Sequence, residues 1–159
     1  MPTIRVVALL LGCMLAASCT TKPPTSDARV CDKLDALAQS VQPGQSKTVR
    51  LVRGGTWMVD HYKKCEHVDG DAAAEQFCQW LIENSSTEFM EVNINRTVSC
   101  LQGQRIVGYI GNTSVESWSG KARFSMPKLT ADVEVEIEYS VDYVTNEKED
   151  FIQFKVIAD

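Results

Sequence analysis

The cysteines constrain the fold of this chain more than any other sequence feature. Four of the six, Cys31, Cys65, Cys78 and Cys100, lie more than ten residues beyond an N-terminal apolar run over residues 6–17. That run has the length of the hydrophobic segment of a signal peptide and is too short to span a bilayer permanently. An exported chain meets an oxidising environment, so an even number of cysteines in its folded region indicates two disulfides.

Four cysteines allow three disulfide pairings, and the sequence alone does not exclude any of them. Cys65 and Cys78 lie nearest to each other along the chain. We therefore expect Cys65 to pair with Cys78 and Cys31 to pair with Cys100. Either pair would add a covalent crosslink that restricts the unfolded chain.

A metal site is the competing interpretation of this region. His61, Cys65 and His67 cluster in the sequence, with Asp60, Glu66 and Asp69 nearby. The spacing His-x3-Cys-x-His is not a recurrent zinc pattern, and a thiol with three available partners is expected to be oxidised. We predict no metal ligand and no cofactor, and we interpret both histidines as surface or strand-end residues.

The end of the apolar run carries a second signal. The residues 15–19, Leu-Ala-Ala-Ser-Cys, resemble the lipobox of bacterial lipoproteins, in which the cysteine carries the lipid and the signal peptide is cut just before it. Cys13 also ends a matching stretch, but cutting there would leave a signal shorter than the roughly 15 residues expected. We expect lipidation at Cys19, with Cys13 and an ordinary secretory signal as the alternatives.

The lipobox resemblance implies an anchored, exported domain. Thr20, rather than Asp, follows the cysteine, which in that family indicates the outer membrane, with the domain facing the periplasm. Two or more acyl chains hold a protein stably to a membrane. The expected organisation is a signal peptide over residues 1–18, a lipidated polar tether over 19–28 that contains two prolines, and one globular domain over 29–159.

The charge balance limits the classes of partner that this chain is expected to bind. The formal net charge is −5, and it becomes −6 when Arg5 leaves with the signal peptide. An acidic chain is a poor match for nucleic acid or an anionic surface. Apart from the membrane that holds the lipid, we expect a protein partner of basic character.

Two segments have the 3.6-residue periodicity of amphipathic helices. The first covers residues 27–41, and the second begins after Asp71, a favourable N-cap residue. Their apolar positions are Val30, Leu34, Leu37, Ala38 and Val41 in the first helix, and Ala74, Phe77, Cys78, Leu81 and Ile82 in the second.

The other segments indicate antiparallel strands. Gly54-Gly55 is predicted to close a hairpin between residues 47–53 and 56–62. Apolar alternation predicts a long strand over residues 90–100, and shorter strands over 105–110, 115–126 and 130–144 precede a C-terminal strand. Gly111 to Thr113 is predicted to form a turn. The fold class is therefore α+β, an antiparallel β-meander with two short helices and two disulfides.

Charge pairing suggests the register of the later strands. With a four-residue loop over 127–130, apolar side chains face one another and opposite charges face one another. The predicted pairs are Phe124 with Val133, Ala122 with Val135, Arg123 with Glu134, and Lys121 with Glu136. Across the next turn the predicted pairs are Tyr143 with Ile152, Val141 with Phe154, and Tyr139 with Val156.

Candidate binding residues fall into two groups. Asp132, Glu134, Glu136 and Glu138 alternate along one strand, together with Asp142, which fits either a solvated sheet face or an acidic docking surface for a basic partner. Among the tryptophans, Trp80 lies off the apolar stripe of its helix and is the better candidate for a binding hot spot.

The sequence carries no pattern typical of catalysis. It has no Gly-x-Ser-x-Gly elbow and no glycine-rich phosphate loop followed by lysine. We therefore expect no catalytic residues and a non-enzymatic, lipid-anchored periplasmic domain that binds a protein, as an inhibitor of an envelope-attacking hydrolase or as an immunity protein against a delivered toxin. The alternative is a structural or assembly lipoprotein of an envelope or secretion complex.

One further segment bears on this hypothesis. Residues 119–124, Ser-Gly-Lys-Ala-Arg-Phe, resemble the Ser-Gly-x-x-Tyr loop of periplasmic lysozyme inhibitors, which are also small disulfide-bonded exported β proteins. The segment has an insertion and carries Phe124 in place of tyrosine. Its alternation predicts a strand here rather than a loop.

Overall fold

The computed structural model describes residues 26–56, 59–102, 105–113, 117–126, 129, 132–142 and 149–159. The predicted signal peptide, Cys13, Cys19 and most of the tether lie outside these residues. The helices and strands, in chain order, are α1 Ser26–Gln39, β1 Ser46–Thr56, β2 Val59–His67, α2 Ala72–Asn84, α3 Met90–Leu101, β3 Arg105–Thr113, β4 Ser117–Ser125, β5 Val133–Asp142 and β6 Asp150–Ala158.

The strands form one antiparallel sheet in the order β2-β1-β6-β5-β4-β3. The last four strands follow one another as a meander, and β6 returns beside β1, so the N-terminal hairpin and the meander share one sheet. This arrangement, with the helices described below, confirms the predicted α+β class.

The helices lie on one face of the sheet. α2 packs on β1 and β2, α3 packs on β5 and β6, and α1 contacts β6 and both other helices. We call this side the covered face and the other side the open face. The covered face carries the core because alternate strand residues point toward the helices. Its buried strand residues include Val49, Leu51, Ala122, Phe124, Val135, Ile137, Tyr139, Val141, Ile152, Phe154 and Val156.

Both predicted helices are present. The five apolar residues predicted for α1 are buried, and in α2 the stripe from Ala74 to Leu81 is buried while Ile82 stays exposed. Asp71 caps α2, since its carboxylate accepts hydrogen bonds from the backbone N–H groups of Ala73 and Ala74. Lys47 of β1 donates to the same carboxylate at 2.8 Å, which ties the start of α2 to the sheet.

The strand predicted over residues 90–100 is wrong, because this segment forms α3. Its buried positions are Met90, Asn93, Ile94, Thr97 and Leu101, which is helical spacing. Asn93 and Thr97 are polar, so the helical stripe does not show in a count of apolar residues. Asn93 is buried at low cost because its amide oxygen accepts from Ser86 N–H at 2.7 Å and its amide nitrogen donates to the Ser86 carbonyl at 2.9 Å.

The predicted disulfide pairing is confirmed. Cys31 of α1 is bonded to Cys100 of α3, and Cys65 of β2 is bonded to Cys78 of α2. The Cα atoms of each pair are 5.5 Å apart, the usual separation for a disulfide. One bond therefore joins two helices of the layer, and the other joins the layer to the sheet.

The predicted turn at Gly54-Gly55 is wrong, although the hairpin exists. β1 continues through both glycines to Thr56, and β2 begins at Val59. Gly55 lies at a register shift between Gly54 and Thr56 and has φ +93°, a conformation that favours glycine. The glycine pair therefore forms a β-bulge. Likewise, the turn predicted at Gly111 to Thr113 is wrong, because β3 runs through Thr113.

The predicted registers are wrong by an even number of residues. Between β4 and β5 the pairs are Phe124 with Val135, Ala122 with Ile137, Arg123 with Glu136, and Lys121 with Glu138, a shift of two. Between β5 and β6 Tyr139 pairs with Ile152, a shift of four. An even shift keeps every side chain on its predicted face, because strands alternate with a period of two. The matching of apolar and charged faces therefore does not determine the lengths of the loops between the strands.

Candidate functional site

A pocket opens in the helical layer beside Trp80. All three helices contribute to its wall, and β1 and β6 form its floor. The pocket encloses about 60 Å³ and is lined by Val30, Leu51, Trp80, Leu81, Asn84, Ser85, Asn93, Arg96, Thr97, Ile152 and Phe154. Asn84 in its lining is exposed, so the pocket is open to solvent.

The floor of the pocket is apolar and its rim is polar. Leu51, Ile152 and Phe154 on the floor are fully buried. Among the polar lining residues, the buried Thr97 donates to the Asn93 carbonyl at 3.0 Å and the exposed Asn84 donates to the Trp80 carbonyl at 2.9 Å. These polar groups are satisfied locally, so the interior of the pocket offers apolar contacts.

Trp80 is the predicted hot-spot residue that lies in this pocket. It is half-buried and packs against the core from the wall formed by α2. The other described tryptophan, Trp118, packs its ring on Tyr139 with centroids 5.0 Å apart, and Trp57 lies outside the described residues. A large amphipathic ring beside an apolar pocket is the arrangement typical of an interface anchor.

Covalent bonds hold the walls of the pocket. The Cys31–Cys100 bond joins α1 to α3, one residue beyond Val30 and three residues beyond Thr97. The Cys65–Cys78 bond fixes α2 to β2 two residues before Trp80. The two disulfides and Trp80, which the sequence indicates separately, lie together around this pocket.

The predicted acidic residues lie on the open face, on the opposite side of the sheet from Trp80. Glu134, Glu136 and Glu138 project from β5, and Asp132 is exposed just before it. They are not a free acidic patch. Lys121 and Arg123 of β4 lie among them, and each of these cations forms two ion pairs with the glutamates.

Glu136 is the centre of this ion-pair ladder. Its side chain is 7% exposed, and its two oxygens lie 2.8 Å from Lys121 Nζ and 2.8 Å from Arg123 Nη2. Burial alone would raise the pKa of Glu136, but the hydrogen bonds from Lys121 and Arg123 outweigh it and hold that pKa below its usual range. The same contacts raise the pKa of Lys121 and of Arg123.

A second group on the open face was not predicted from the sequence. Arg50 lies over the ring of Phe151, with Cζ 4.3 Å from the ring centroid, and Arg50 also lies 3.8 Å from Glu66. Tyr62 is 48% exposed nearby on β2 and covers Gly54, where a Cβ atom would clash with the Tyr62 ring and hydroxyl. The sequence does carry a signal for this group, because these residues occupy the alternate positions that point to the open face on three adjacent strands.

The remaining residue groups provide no further site. Among residues 26–159, the described parts bring together no group of three or more His, Cys, Asp or Glu side chains suited to a metal ion. His61 and His67 are half-buried on β2. No described helix combines the length and apolar character needed to cross a membrane.

The segment that resembles the lysozyme-inhibitor loop, residues 119–124, lies within β4 and is extended strand, as its alternation predicts. Comparison with known protein families, with curated proteins and with solved structures found no match to this chain.

Proposed function

We propose that this chain is a lipid-anchored protein of the bacterial cell envelope whose domain binds another protein through the pocket at Trp80. The anchor is Cys19, in the outer membrane, and the domain faces the periplasm. The single observation that carries the binding role is Trp80, half-buried at an apolar pocket, where one disulfide joins α1 to α3 and a second ties α2 to the sheet.

The pocket fits a side chain rather than a large ligand. Its volume of about 60 Å³ suits the end of an aliphatic side chain that a partner inserts beside Trp80. Disulfides crosslink α1 to α3 and α2 to the sheet, which restricts the helices of the wall and limits the conformational entropy lost on binding. The domain therefore presents a prepared receptor for one protruding apolar residue.

The charge of the chain favours a basic partner. The mature chain has a formal charge of −6, because Arg5 leaves with the signal peptide, and this charge attracts a cationic protein at long range. Glu134 and Glu138 remain partly exposed on the open face, away from the pocket. A basic hydrolase or toxin that attacks the envelope has this character. The proposed role is to inhibit such a protein, as an inhibitor or as an immunity protein.

Binding is tested with the mature chain and two matched variants. The chain is used to capture proteins from envelope extract, and the captured protein is identified, purified and assayed for hydrolytic activity. Trp80→Ala is expected to weaken its binding by on the order of 30-fold, the effect of losing a hot-spot residue. Gln79→Ala, an exposed neighbour on the same helix, is expected to leave binding unchanged.

The result has clear alternatives. Inhibition of a basic hydrolase that is lost in Trp80→Ala and kept in Gln79→Ala would support the proposal. Equal binding by both variants would show that the partner does not bind at the pocket. A deletion strain that grows normally against lysozyme and competitors, together with no captured hydrolase, would contradict the inhibitor role. The anchor is checked by mass spectrometry of the mature N-terminus, where a free Cys19 thiol would contradict it.

A further inference from the structure

The two edges of the sheet differ in their protection. At one edge β2 carries charged side chains along its length, including Lys63, Lys64 and Glu66, and its Cys65 is bonded to α2. At the other edge β3 carries a single charge, Arg105, at its first residue. Among the described strands, β3 pairs with β4 on one side and with none on the other.

An uncharged edge is unusual for a domain that stays alone. An edge strand presents unpaired N–H and C=O groups, and natural proteins block them with lysine, proline, bulges or a covering element. β2 has such protection. β3 has a bulge only near its start, between Ile106 and Gly108, and from Gly108 to Thr113 its pairing with β4 is regular. These six residues form an extended edge without a charge to desolvate.

We propose that β3 pairs with β3 of a second copy of this chain, antiparallel, over residues 108–113. The pairing would join the two sheets edge to edge into one of twelve strands. It is self-complementary, as a two-fold interface must be, because the same segment serves on both sides. Arg105 lies outside the paired segment, so the two copies bring no like charges into direct opposition there.

The antiparallel arrangement also suits the direction of the anchors. Antiparallel strands related by a two-fold axis perpendicular to the sheet keep both helical layers on the same side. Ser26, the first residue of α1, then lies in that shared layer in both copies, so both tethers can reach one membrane. A parallel two-fold pairing would place the helical layers on opposite sides and would set Arg105 beside Arg105.

Confinement to a membrane strengthens such a contact. Two copies anchored in one leaflet meet at a raised effective concentration, so a small interface is sufficient. This step and the direction of the tethers rest on the proposed anchor. The edge itself is a property of the fold, and the charges nearest to it on β4 are already paired with Glu136.

The test uses the full chain in bacterial cells. A photo-crosslinking residue replaces Asn112 in β3 or, as a control, Lys64 in the opposite edge strand. A crosslink to a second copy is expected at position 112 and not at position 64. In solution, sedimentation equilibrium of the Cys19→Ala chain, made without its signal peptide, follows the same dimer without the membrane.

Two lysine substitutions give the matched comparison. Asn112→Lys adds a charge to the edge and is expected to weaken the dimer on the order of tenfold. Ser119→Lys adds the same charge directly opposite, on β4, where Asn112 and Ser119 are cross-strand partners, and is expected to leave the dimer intact. Equal thermal melting of the two variants would show that neither has unfolded.

Each outcome decides the proposal. A position-112 crosslink between two copies, lost in Asn112→Lys and kept in Ser119→Lys, supports it. A monomer at all concentrations in cells and in solution, or a crosslink only to a different protein, overturns it. If fractionation shows the chain free of the membrane while the solution dimer persists, the anchor fails and the edge pairing stands.

Discussion

The two faces of the sheet are stabilised in different ways, and β6 shows the difference within one strand. Ile152, Phe154 and Val156 point under the helices and are fully buried, whereas Phe151 and Lys155 point to the open face and are half-buried. The covered face relies on apolar burial and disulfides, and the open face relies on ion pairs, a stacked cation and one fully buried apolar side chain, Val52. We therefore expect the covered face to dominate stability and the open face to respond more to solvent conditions.

Phe154→Ala and Phe151→Ala compare the two faces directly. Phe154 is 0% exposed and its ring lies edge-on to Phe77 with centroids 5.1 Å apart, so truncation leaves a cavity under the helices. We expect a loss of about 3 to 5 kcal/mol in the free energy of unfolding. Phe151→Ala removes a half-buried ring and its contact with Arg50, with an expected loss of about 1 kcal/mol.

Urea denaturation of both variants measures these losses. The covered face is expected to exceed the open face by at least about 2 kcal/mol. Similar losses for the two variants would mean that the open face is buried in the native protein, by residues outside the described ranges or by another chain. The comparison between faces would then fail at its first step.

The sequence predicted the faces of this fold better than its helices and registers. Alternation of apolar and charged residues placed Arg123 and Glu136 on the same face, where they do form an ion pair. It could not determine loop lengths, because any even shift gives the same faces. Glu136 lies opposite Arg123 because the connection between Met126 and Val133 has six residues. The Met126 N–H donates to the Val133 carbonyl at 2.8 Å.

The error at α3 and the location of the pocket have a common cause. Asn93 and Thr97 are buried with polar side chains, so apolar periodicity assigned this segment to a strand. The pocket forms where α3 crosses the other helices, and without α3 it could not be inferred. Trp80 was identified from its position off the helix stripe, but its pocket required the tertiary structure.

The disulfides offer the second test of the covered face. Replacing Cys31 and Cys100 with alanine opens a crosslink between residues 69 apart, and replacing Cys65 and Cys78 opens one between residues 13 apart. The loss of loop-closure restriction gives about 4 kcal/mol for the long crosslink and about 3 kcal/mol for the short one.

Thermal unfolding of the two double variants measures this order. The Cys31/Cys100 variant is also expected to weaken partner binding, because α1 and α3 both line the pocket. If removal of the short crosslink destabilises the protein more, the packing of α2 on the sheet, rather than the length of the closed loop, sets the contribution of each bond.

The smallest expected effects come from two buried carboxylates with opposite pKa directions. On the open face, hydrogen bonds from two cations hold the pKa of Glu136 below its usual range in spite of burial. On the covered side, burial raises the pKa of Asp150 and outweighs its hydrogen bond from Asp142 N–H and its ion pair with Arg53 at 2.9 Å. The negative charges of Asp142 and Glu91 add to the effect of burial at Asp150, whereas Glu136 has two cations in hydrogen-bond contact.

These directions give opposite pH dependences of the free energy of unfolding. The stability from Glu136 is present above the pKa of an unfolded glutamate and is lost as the pH falls through the lower folded value. The stability from Asp150 is present below the pKa of an unfolded aspartate and is lost as the pH rises through the higher folded value. Glu136→Gln should therefore flatten the fall in stability below about pH 4.5, which is the ordinary pKa of a glutamate.

Asp150→Asn should remove the loss of stability that the parent chain shows at higher pH. The free energy of unfolding of the variant, relative to that of the parent chain, should therefore rise as the pH increases from acid toward neutral. Urea unfolding at intervals from pH 3 to pH 7 compares the two variants, with Glu138→Gln as the control for an exposed glutamate on the same strand. If Asp150→Asn instead loses stability relative to the parent chain as the pH rises, Arg53 compensates for the buried charge. The single cation would then be as effective as the pair at Glu136, and the two faces would not differ in how they hold a carboxylate.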